Sequence, residues 1–206
     1  MIIAVDGPTA SGKGTIAKAL AAHFGLPHLD TGLLYRAVGR QVELVGGDPD
    51  DEAVAFAACD FADDLLNDEA LRSEIVGGLA SRVSIHPAVR RALFDRQRAF
   101  ATQPGGAVLD GRDIGTVIAP EADLKLFVTA SVEARAQRRF TEMRKRGEAV
   151  TLAAIEEDLR RRDERDSGRA DAPLRQADGA LVLDNSGLNA DQSIALALRL
   201  ARSNRL

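Results

Sequence analysis

The segment IIAVDGPTASGKGTIAKAL covers residues 2–20 and joins a short apolar run to a glycine-rich turn and then to a helical pattern. A glycine-rich turn between a strand and a helix directs consecutive backbone N–H groups toward one point, and the helix dipole adds positive potential there. We therefore predict a polyphosphate site in this turn, with the Lys13 ammonium at the outer phosphates. Its residues are Gly7, Pro8, Thr9, Ala10, Ser11, Gly12, Lys13, Gly14 and Thr15.

The residue after the lysine departs from the usual phosphate-loop pattern. Gly14 stands where Ser or Thr normally offers a hydroxyl to Mg²⁺, and Thr15 lies one residue further along the helix. Direct ligation of Mg²⁺ by this loop is therefore not predicted.

Apolar runs alternate with helical patterns along the chain, which is typical of a parallel sheet with crossover helices. Five predicted strands cover residues 2–6, 27–30, 107–111, 124–130 and 180–184. The carboxyl ends of parallel strands meet at the edge of the sheet where ligands bind, so Asp6, Asp30 and Asp110 are expected there. Asp184 is expected instead to cap the next helix.

Two helical stretches lie between the strands. Residues 38–100 contain a turn-rich break at 45–51 and form a candidate insertion, and residues 130–169 are expected to form two helices that break near Gly147. Acidic residues four positions before arginines are typical of a solvated helix face. Such pairs are Glu156–Arg160, Glu157–Arg161 and Asp158–Arg162.

The composition narrows the class of protein. The chain has 206 residues, of which 45% are hydrophobic, and this suits one compact domain with an insertion. A net charge of −4, the absence of Trp and a single Tyr disfavour nucleic-acid and membrane-surface partners. Cys59 is the one cysteine, which suits a reducing compartment. The apolar run 1–5 is too short for a signal peptide or a membrane-spanning segment, so we expect a cytoplasmic protein. Nothing in the sequence requires an oligomer, so we expect a monomer.

Blocks along nearly the whole chain resemble those of the bacterial cytidylate kinases, a family of P-loop nucleoside monophosphate kinases. GKGT is the form that the loop takes in nucleoside monophosphate kinases. The further blocks are LDTGLLYR (29–36), SRVSIHPAVR (81–90), RQRAF (96–100), LDGRDIGTVIAP (109–120) and RRDERDSGRADAPL (161–174). The resemblance implies an α/β fold in which residues 1–206 form a single P-loop kinase domain, a three-layer sandwich around a parallel five-stranded sheet. It further implies a helical or mixed monophosphate-binding insertion near 38–100 and a short lid near 140–170.

The resemblance also implies an activity, namely the ATP-dependent phosphorylation of CMP and dCMP to CDP and dCDP with release of ADP, in pyrimidine nucleotide metabolism. ATP and Mg²⁺ are the implied donor and ion, and Asp110 resembles the acidic residue that holds Mg²⁺ through water. Lys13, Arg112, Arg162 and Arg169 are the implied catalytic residues. The implied contacts to the substrate come from Thr31, Arg36, Ser81, Arg90, Arg112, Asp113, Arg162, Asp166 and Arg169.

Some of these roles have independent chemical support. Cytosine presents an amino donor beside two acceptors, so the carboxylate of Asp113 and the guanidinium of Arg90 are a matched pair for it. Arg169 lies beyond Ser167 and Gly168, where the helix should end, so helix-surface pairing does not explain it. The acceptor phosphate, with a second pKa of about 6, is already largely dianionic and requires no general base.

Simpler interpretations stand beside the functional ones. Thr31 is also explained as a helix cap, Arg36 as a surface charge, and the 110–113 turn as an internal ion pair. The three histidines, His23, His28 and His86, are expected to be surface or packing residues. Arg135 or Arg139 is expected either to stack on the donor base or to be solvated.

Other functions fit parts of the sequence. A kinase for another small acceptor, such as UMP or a non-nucleotide alcohol, would keep the loop and change the acceptor residues. A non-catalytic nucleotide sensor would use bound ATP to order residues 130–169, and an RNA-binding role is disfavoured by charge and by the few aromatic residues.

Overall fold

The computed structural model describes residues 1–204, and a five-stranded parallel sheet is its central element. The strand order is β2-β3-β1-β4-β5. The strands are β1 (Ile2–Asp6), β2 (His28–Asp30), β3 (Ala107–Gly111), β4 (Leu124–Thr129) and β5 (Leu181–Asp184). The predicted α/β fold is confirmed, and the predicted strand ends differ from the observed ones by one residue at 27, 130 and 180.

Eight α-helices accompany the sheet in the described part of the chain, with short 3₁₀ helices at Asp63–Asn67 and Glu69–Arg72 and a π-helix at Ile114–Ile118. The α-helices are α1 (Lys13–Phe24), α2 (Thr31–Leu44), α3 (Glu52–Ala57), α4 (Glu74–Val83), α5 (Pro87–Ala101), α6 (Val132–Lys145), α7 (Leu152–Ser167) and α8 (Ala190–Ser203). The predicted breaks at 45–51 and near Gly147 are both present.

The chain divides into two compact units. The first contains Met1–Leu29 and the chain from Ala101 onward, and it includes nearly all of the sheet. The second contains Asp30–Phe100 and is built mainly from helices, with α2 packed against α4. Gly39 permits this packing, since a Cβ atom there would lie 2.9 Å from the Cβ of Leu79.

The core of the first unit lies between the sheet and the helices α1 and α8. Its strand residues are β-branched or leucine, which fit a doubly covered parallel strand, and Ile3 and Val5 of β1 are fully buried. Ile16 and Leu20 of α1 lie four residues apart and pack against the same cluster. This core fixes the carboxyl ends of the strands, and with them the loops that follow.

The start of α8 corrects one expectation. Asp184 does not cap this helix, because its carboxylate accepts hydrogen bonds from the backbone N–H and the hydroxyl of Ser186. Asn189 is the cap instead, and it forms a capping box with Gln192. The interpretation of Asp184 as a helix cap was wrong because five residues of turn separate β5 from α8.

No helix within residues 1–204 combines the length and the apolar character that crossing a bilayer requires.

Candidate active site

The glycine-rich loop follows β1 at the centre of the sheet. A Cβ atom on Gly7 would lie 2.1 Å from the carbonyl oxygen of Val128 on β4, so only glycine permits this approach. Ala10 and Gly12 have φ values of 60° and 85°, in the left-handed region. Alternating backbone handedness of this kind directs successive N–H groups to one side of a loop, which is the conformation that binds phosphate.

Lys13 begins α1 and turns back over the loop. Its Nζ atom donates to the carbonyl oxygen of Pro8 at 3.3 Å, which keeps the ammonium beside the N–H groups of the loop. The Ser11 side chain is fully buried, and the carbonyl of Ser11 accepts a hydrogen bond of 2.8 Å from Nδ2 of Asn185. The loop therefore combines a positive charge with a fixed backbone.

A cavity of about 370 Å³ opens beside this loop. Gly12 and Thr15 line one side, and Arg138, Asn185 and Leu188 line another. Asn185 is 2% exposed, and its Oδ1 accepts from Nη1 of Arg138 at 3.0 Å. Nη2 of Arg138 donates to the carbonyls of Asn185 and Leu188. The loop between β5 and α8 is thus tied both to the phosphate loop and to α6.

The sequence predicts that Arg135 or Arg139 either stacks on the donor base or is solvated. Arg135 is only 3% exposed, its guanidinium pairs with Asp163, and Nη1 also donates to the carbonyl oxygen of Thr9 at 3.2 Å. Arg135 is therefore neither solvated nor free to stack on a base, because its guanidinium holds the phosphate loop through the Thr9 carbonyl. The arginine beside the cavity is Arg138, one position before Arg139.

Asp110 lies at the end of β3, close to the start of α1. Its Oδ1 accepts a hydrogen bond of 2.7 Å from Nε2 of His28, and a Cβ atom on Gly14 would lie 3.6 Å from its Oδ2. Within residues 1–204, no three His, Cys, Asp or Glu side chains gather in a way that could hold a metal ion. One carboxylate beside a phosphate loop fits an ion that takes its other ligands from phosphates and water.

Arg112 follows β3 and joins two parts of the first unit. Its Nε donates to Oδ2 of Asp166 at 2.8 Å, and its Nη2 donates to Oγ1 of Thr9 in the phosphate loop at 2.6 Å. Burial alone would raise the pKa of Asp166, but the guanidinium groups of Arg112 and Arg169 hold it below its usual value. Asp166 is therefore ionised near neutral pH, and the interpretation of 110–113 as a self-contained ion pair does not fit.

The two remaining arginines of this region are also shielded. Arg162 is 6% exposed and pairs with Asp158 at 2.8 Å, as its spacing predicted. Arg169 lies just beyond the end of α7, where its Nε donates to the carbonyl oxygen of Asp166 at 3.2 Å. Both guanidinium groups are thus held on the Asp166 side of α7.

Asp113 precedes the π-helix and is 4% exposed. The first two N–H groups of that helix, from Ile114 and Gly115, donate to Oδ1 and Oδ2 of Asp6 at 2.8 Å each. Burial raises the pKa of Asp6 from its usual 3.8 to about 7, although these two N–H groups oppose the rise. The charge of Asp113 raises this pKa further, and that of Lys13 lowers it.

The second unit contains the other predicted substrate residues. Thr31 begins α2 and is 3% exposed, while Asp30 is the cap that accepts from the N–H of Gly32. Nη1 of Arg36 donates to the carbonyls of Leu71 and Ser73, at 2.6 and 3.1 Å. Arg36 is therefore fixed by the body of this unit, and the interpretation of it as a plain surface charge does not fit.

Arg90 and Ser81 lie on different helices of the second unit. The Arg90 guanidinium stacks over the ring of Tyr35 at 5.7 Å and donates to the carbonyl oxygen of Ser84 at 3.3 Å. It is 7% exposed and is therefore not a residue of the helix surface. Ser81 is half-buried on α4.

Comparison with known proteins identifies the family. The family model described as cytidylate kinase matches residues 3–203. The chain is 57% identical over its full length to a cytidylate kinase of Xanthobacter autotrophicus, covering 99% of that protein. It is also 57% identical over 98% of its length to the cytidylate kinase of Methylocella silvestris, covering 94% of it.

The chain belongs to the cytidylate kinase family. A solved structure of an uncharacterised protein from Eubacterium ventriosum matches 98% of both chains with a TM-score of 0.59 at 16% identity, which supports the fold alone.

Three hydrogen bonds in this member of the cytidylate kinase family were not predicted from its sequence. Asn185 is separated from Ser11 by 174 residues, His28 from Asp110 by 82 and Asp6 from Ile114 by 108. Each contact depends on how the strands are ordered in the sheet. The one available hint was that four predicted strands end at or next to an aspartate.

Proposed function

We propose that the protein transfers the γ-phosphoryl group of ATP to CMP, and to dCMP, giving CDP or dCDP and ADP. The observation that carries this proposal is Arg112, which contacts Asp166 and Thr9 at once. A nucleotide-binding protein needs only the phosphate loop to retain ATP. An arginine that connects this loop to a second buried polar cluster is what transfer to an acceptor requires.

The donor is assigned to the first unit. The backbone N–H groups of residues 10–15 and the Lys13 ammonium hold the β- and γ-phosphates, and the cavity beside Gly12 receives the base. Arg138 and Asn185 form its wall, which supports a planar ligand between the β5–α8 loop and α6. This assignment replaces the stacking role considered for Arg135.

The acceptor residues fall into two sets. From the first unit, Arg112 contacts the acceptor phosphate, Asp113 accepts from the cytosine amino group and Asp166 contacts the sugar. From the second unit, Thr31 and Arg36 contact the phosphate, and Ser81 and Arg90 contact the base. Uracil presents a carbonyl in place of the amino group, so Asp113 would disfavour UMP.

Mg²⁺ would be held through water by Asp110, whose Oδ2 faces Gly14 at the start of α1. Bound there with the phosphates, the ion supplies charge neutralisation between the β- and γ-phosphates. The missing hydroxyl at Gly14 agrees with a water-mediated contact. His28 fixes the other carboxylate oxygen of Asp110.

The transfer itself needs alignment and charge neutralisation. An oxygen of the CMP phosphate attacks the γ-phosphorus, the bond to the β-phosphate oxygen breaks and ADP leaves with that electron pair. Arg162 and Arg169 neutralise the transferring group, and residues 140–170 act as the lid that excludes water. The buried guanidinium groups of both arginines support this role, because charge is most effective where water is excluded.

The test is ADP formation from Mg-ATP with CMP, dCMP, UMP, AMP or GMP supplied separately, beside a control without acceptor. The proposal predicts rapid turnover with CMP and dCMP and only background without acceptor. Turnover with none of the five, in a protein that still binds ATP, would favour a nucleotide sensor instead.

A further inference from the structure

The first N–H groups of the π-helix are capped by Asp6, a residue of β1. Asp113 occupies the cap position, yet its side chain makes no cap hydrogen bond. A cap side chain normally accepts from the second or third N–H group of its helix, and the second one here is that of Gly115. This N–H group and that of Ile114 donate instead to Asp6, with one carboxylate oxygen for each. Asp6, a residue of β1, thus performs the role that belongs by position to Asp113.

This exchange is unusual because aspartate is among the preferred cap residues. The first N–H groups of a helix lack intrahelical partners, and a carboxylate at the cap position satisfies them readily. Ile114 is fully buried, so its N–H must have a partner within the protein. If Asp6 were removed, the N–H of Gly115 would be open to the Asp113 side chain, because a residue at the cap position can accept from it.

We propose that Asp6 is a positioning residue for base discrimination, which caps the π-helix so that the Asp113 carboxylate is directed to the acceptor base. The inference rests on the proposed function, in which Asp113 accepts from the cytosine amino group.

The charges of the two residues reinforce this arrangement. Asp113 lies near enough to Asp6 for its charge to raise the pKa of the Asp6 carboxyl. When Asp6 is ionised, repulsion between the two carboxylates opposes any turn of Asp113 toward the N–H groups that Asp6 holds. The backbone at Asp113 is fixed as well, since its carbonyl accepts from Val117 at 2.9 Å and from Ile118 at 3.2 Å.

The experiment compares kcat/KM for CMP with kcat/KM for UMP in four forms of the full chain: wild type, Asp6→Asn, Asp113→Asn and the double variant. Asn keeps the shape of Asp6 but offers one acceptor instead of two, and it removes the repulsion. We expect Asp113→Asn to lower the CMP-to-UMP ratio about tenfold. Asp6→Asn should lower this ratio about fivefold, through a higher KM for CMP. The KM for ATP of Asp6→Asn should stay within a factor of about two of the wild-type value. The double variant should be no worse than Asp113→Asn alone.

Asp123→Asn is the matched control. Asp123 also accepts a backbone N–H of β1, from Ile2 at 2.7 Å, but at the opposite end of the strand. This variant should leave the ratio unchanged even if it lowers the free energy of unfolding. A ratio that is unchanged in Asp6→Asn but lowered in Asp113→Asn overturns the inference, as does full additivity in the double variant. If Asp113→Asn leaves the CMP-to-UMP ratio unchanged, Asp113 does not accept from the cytosine amino group and the inference loses its premise. Turnover of CMP by that variant would still support the proposed phosphoryl transfer.

A measurement on the wild type covers the case in which Asp6→Asn does not fold. In NMR spectra recorded across pH, the amide protons of Ile114 and Gly115 should shift together with the carboxyl carbon of Asp6. Amide shifts that follow the carboxyl carbon of Asp113 instead would show that Asp113 caps its own helix, and would overturn the inference.

Discussion

Arginines that have the same spacing from an acidic residue in the sequence differ in how deeply their side chains are buried. Arg160, Arg161 and Arg162 all follow an acidic residue by four positions, but their side chains are 47%, 60% and 8% exposed. The Arg169 side chain is 4% exposed although it lies beyond the helix. An exposed arginine in water contributes little to a charged ligand, whereas a buried one contributes strongly. The same residue type is therefore solvated on one face of α7 and buried on the other, where we propose that it binds phosphate.

Arg169→Ala should lower kcat by about a hundredfold or more, because its contact strengthens as charge develops on the transferring group. The Kd for ATP should change by less than about threefold, since the phosphate loop supplies most ground-state binding. Stopped-flow turnover and equilibrium titration with ATP measure the two quantities. Arg161→Ala, on the exposed face of α7, is the control, and its kcat and Kd should match those of the wild type. An unchanged kcat in Arg169→Ala would show that Arg169 has no part in the mechanism.

Two glycines of the phosphate loop should respond in opposite ways to alanine. A Cβ atom on Gly7 would meet the Val128 carbonyl at 2.1 Å, so Gly7→Ala must displace β1 or β4 and should lower the free energy of unfolding by about 2 kcal/mol or more. Gly14 lies in the first turn of α1, where a Cβ atom would make an ordinary contact at 3.6 Å. Gly14→Ala should raise stability by about 0.5–1 kcal/mol. Urea denaturation measures both, and equal values for the two variants would contradict the geometry.

At the scale of elements, the loop between β5 and α8 connects the phosphate loop to α6. Asn185 donates to the Ser11 carbonyl and accepts from Arg138, so one buried amide links three segments. Such networks fix geometry more than they add net stability. The loop therefore sets the position of the phosphate loop relative to the cavity wall.

Asn185→Ala should raise the KM for ATP about tenfold, because the Ser11 carbonyl and the Arg138 guanidinium each lose a partner. The KM for CMP should stay within a factor of about two, since this loop contacts only the donor side. Steady-state kinetics with each substrate varied separately measure the split. Asn204→Ala is the control, as this side-chain amide at the far end of α8 donates to the Asp123 carbonyl. A rise in both KM values would indicate a general loss of structure rather than a donor-side role.

The link between β1 and the π-helix should be visible in the pH dependence of stability. Asp6 has a pKa of about 7 in the folded protein against its usual 3.8, so the folded state binds the proton more tightly than the unfolded state. Its contribution to the free energy of unfolding is therefore largest below about pH 4 and falls as pH rises to about 7, by roughly 4 kcal/mol at 1.36 kcal/mol per pKa unit. Denaturation of wild type and Asp6→Asn across this range measures the difference. A difference that stays constant with pH would contradict the raised pKa.

At the scale of the whole molecule, local patterns predicted the fold well. Each strand is an apolar run next to turn-forming residues, and the phosphate loop requires a specific strand, turn and helix in sequence, so both depend on neighbouring residues alone. The helix breaks at 45–51 and Gly147 follow from the same local chemistry.

The site was predicted less completely, because its contacts depend on strand order. Sequence spacing gave no reason to pair Asn185 with Ser11 or Asp6 with Ile114, and it misplaced the cap of α8 at Asp184. The burial of Arg90 and Arg162 depends equally on tertiary packing. The roles assigned to the substrate residues stay predictions, and the variants above test those of Asp113 and Arg169.

The most direct measurement of the central claim is the fate of the γ-phosphoryl group in a single turnover. Enzyme in excess is mixed with γ-³²P-labelled ATP, Mg²⁺ and CMP, and the products are separated after quenching. The account predicts that the label appears in the β-phosphate of CDP in step with ADP formation, and that little appears as inorganic phosphate. Label found mainly as inorganic phosphate, or ATP left intact while bound, would contradict it.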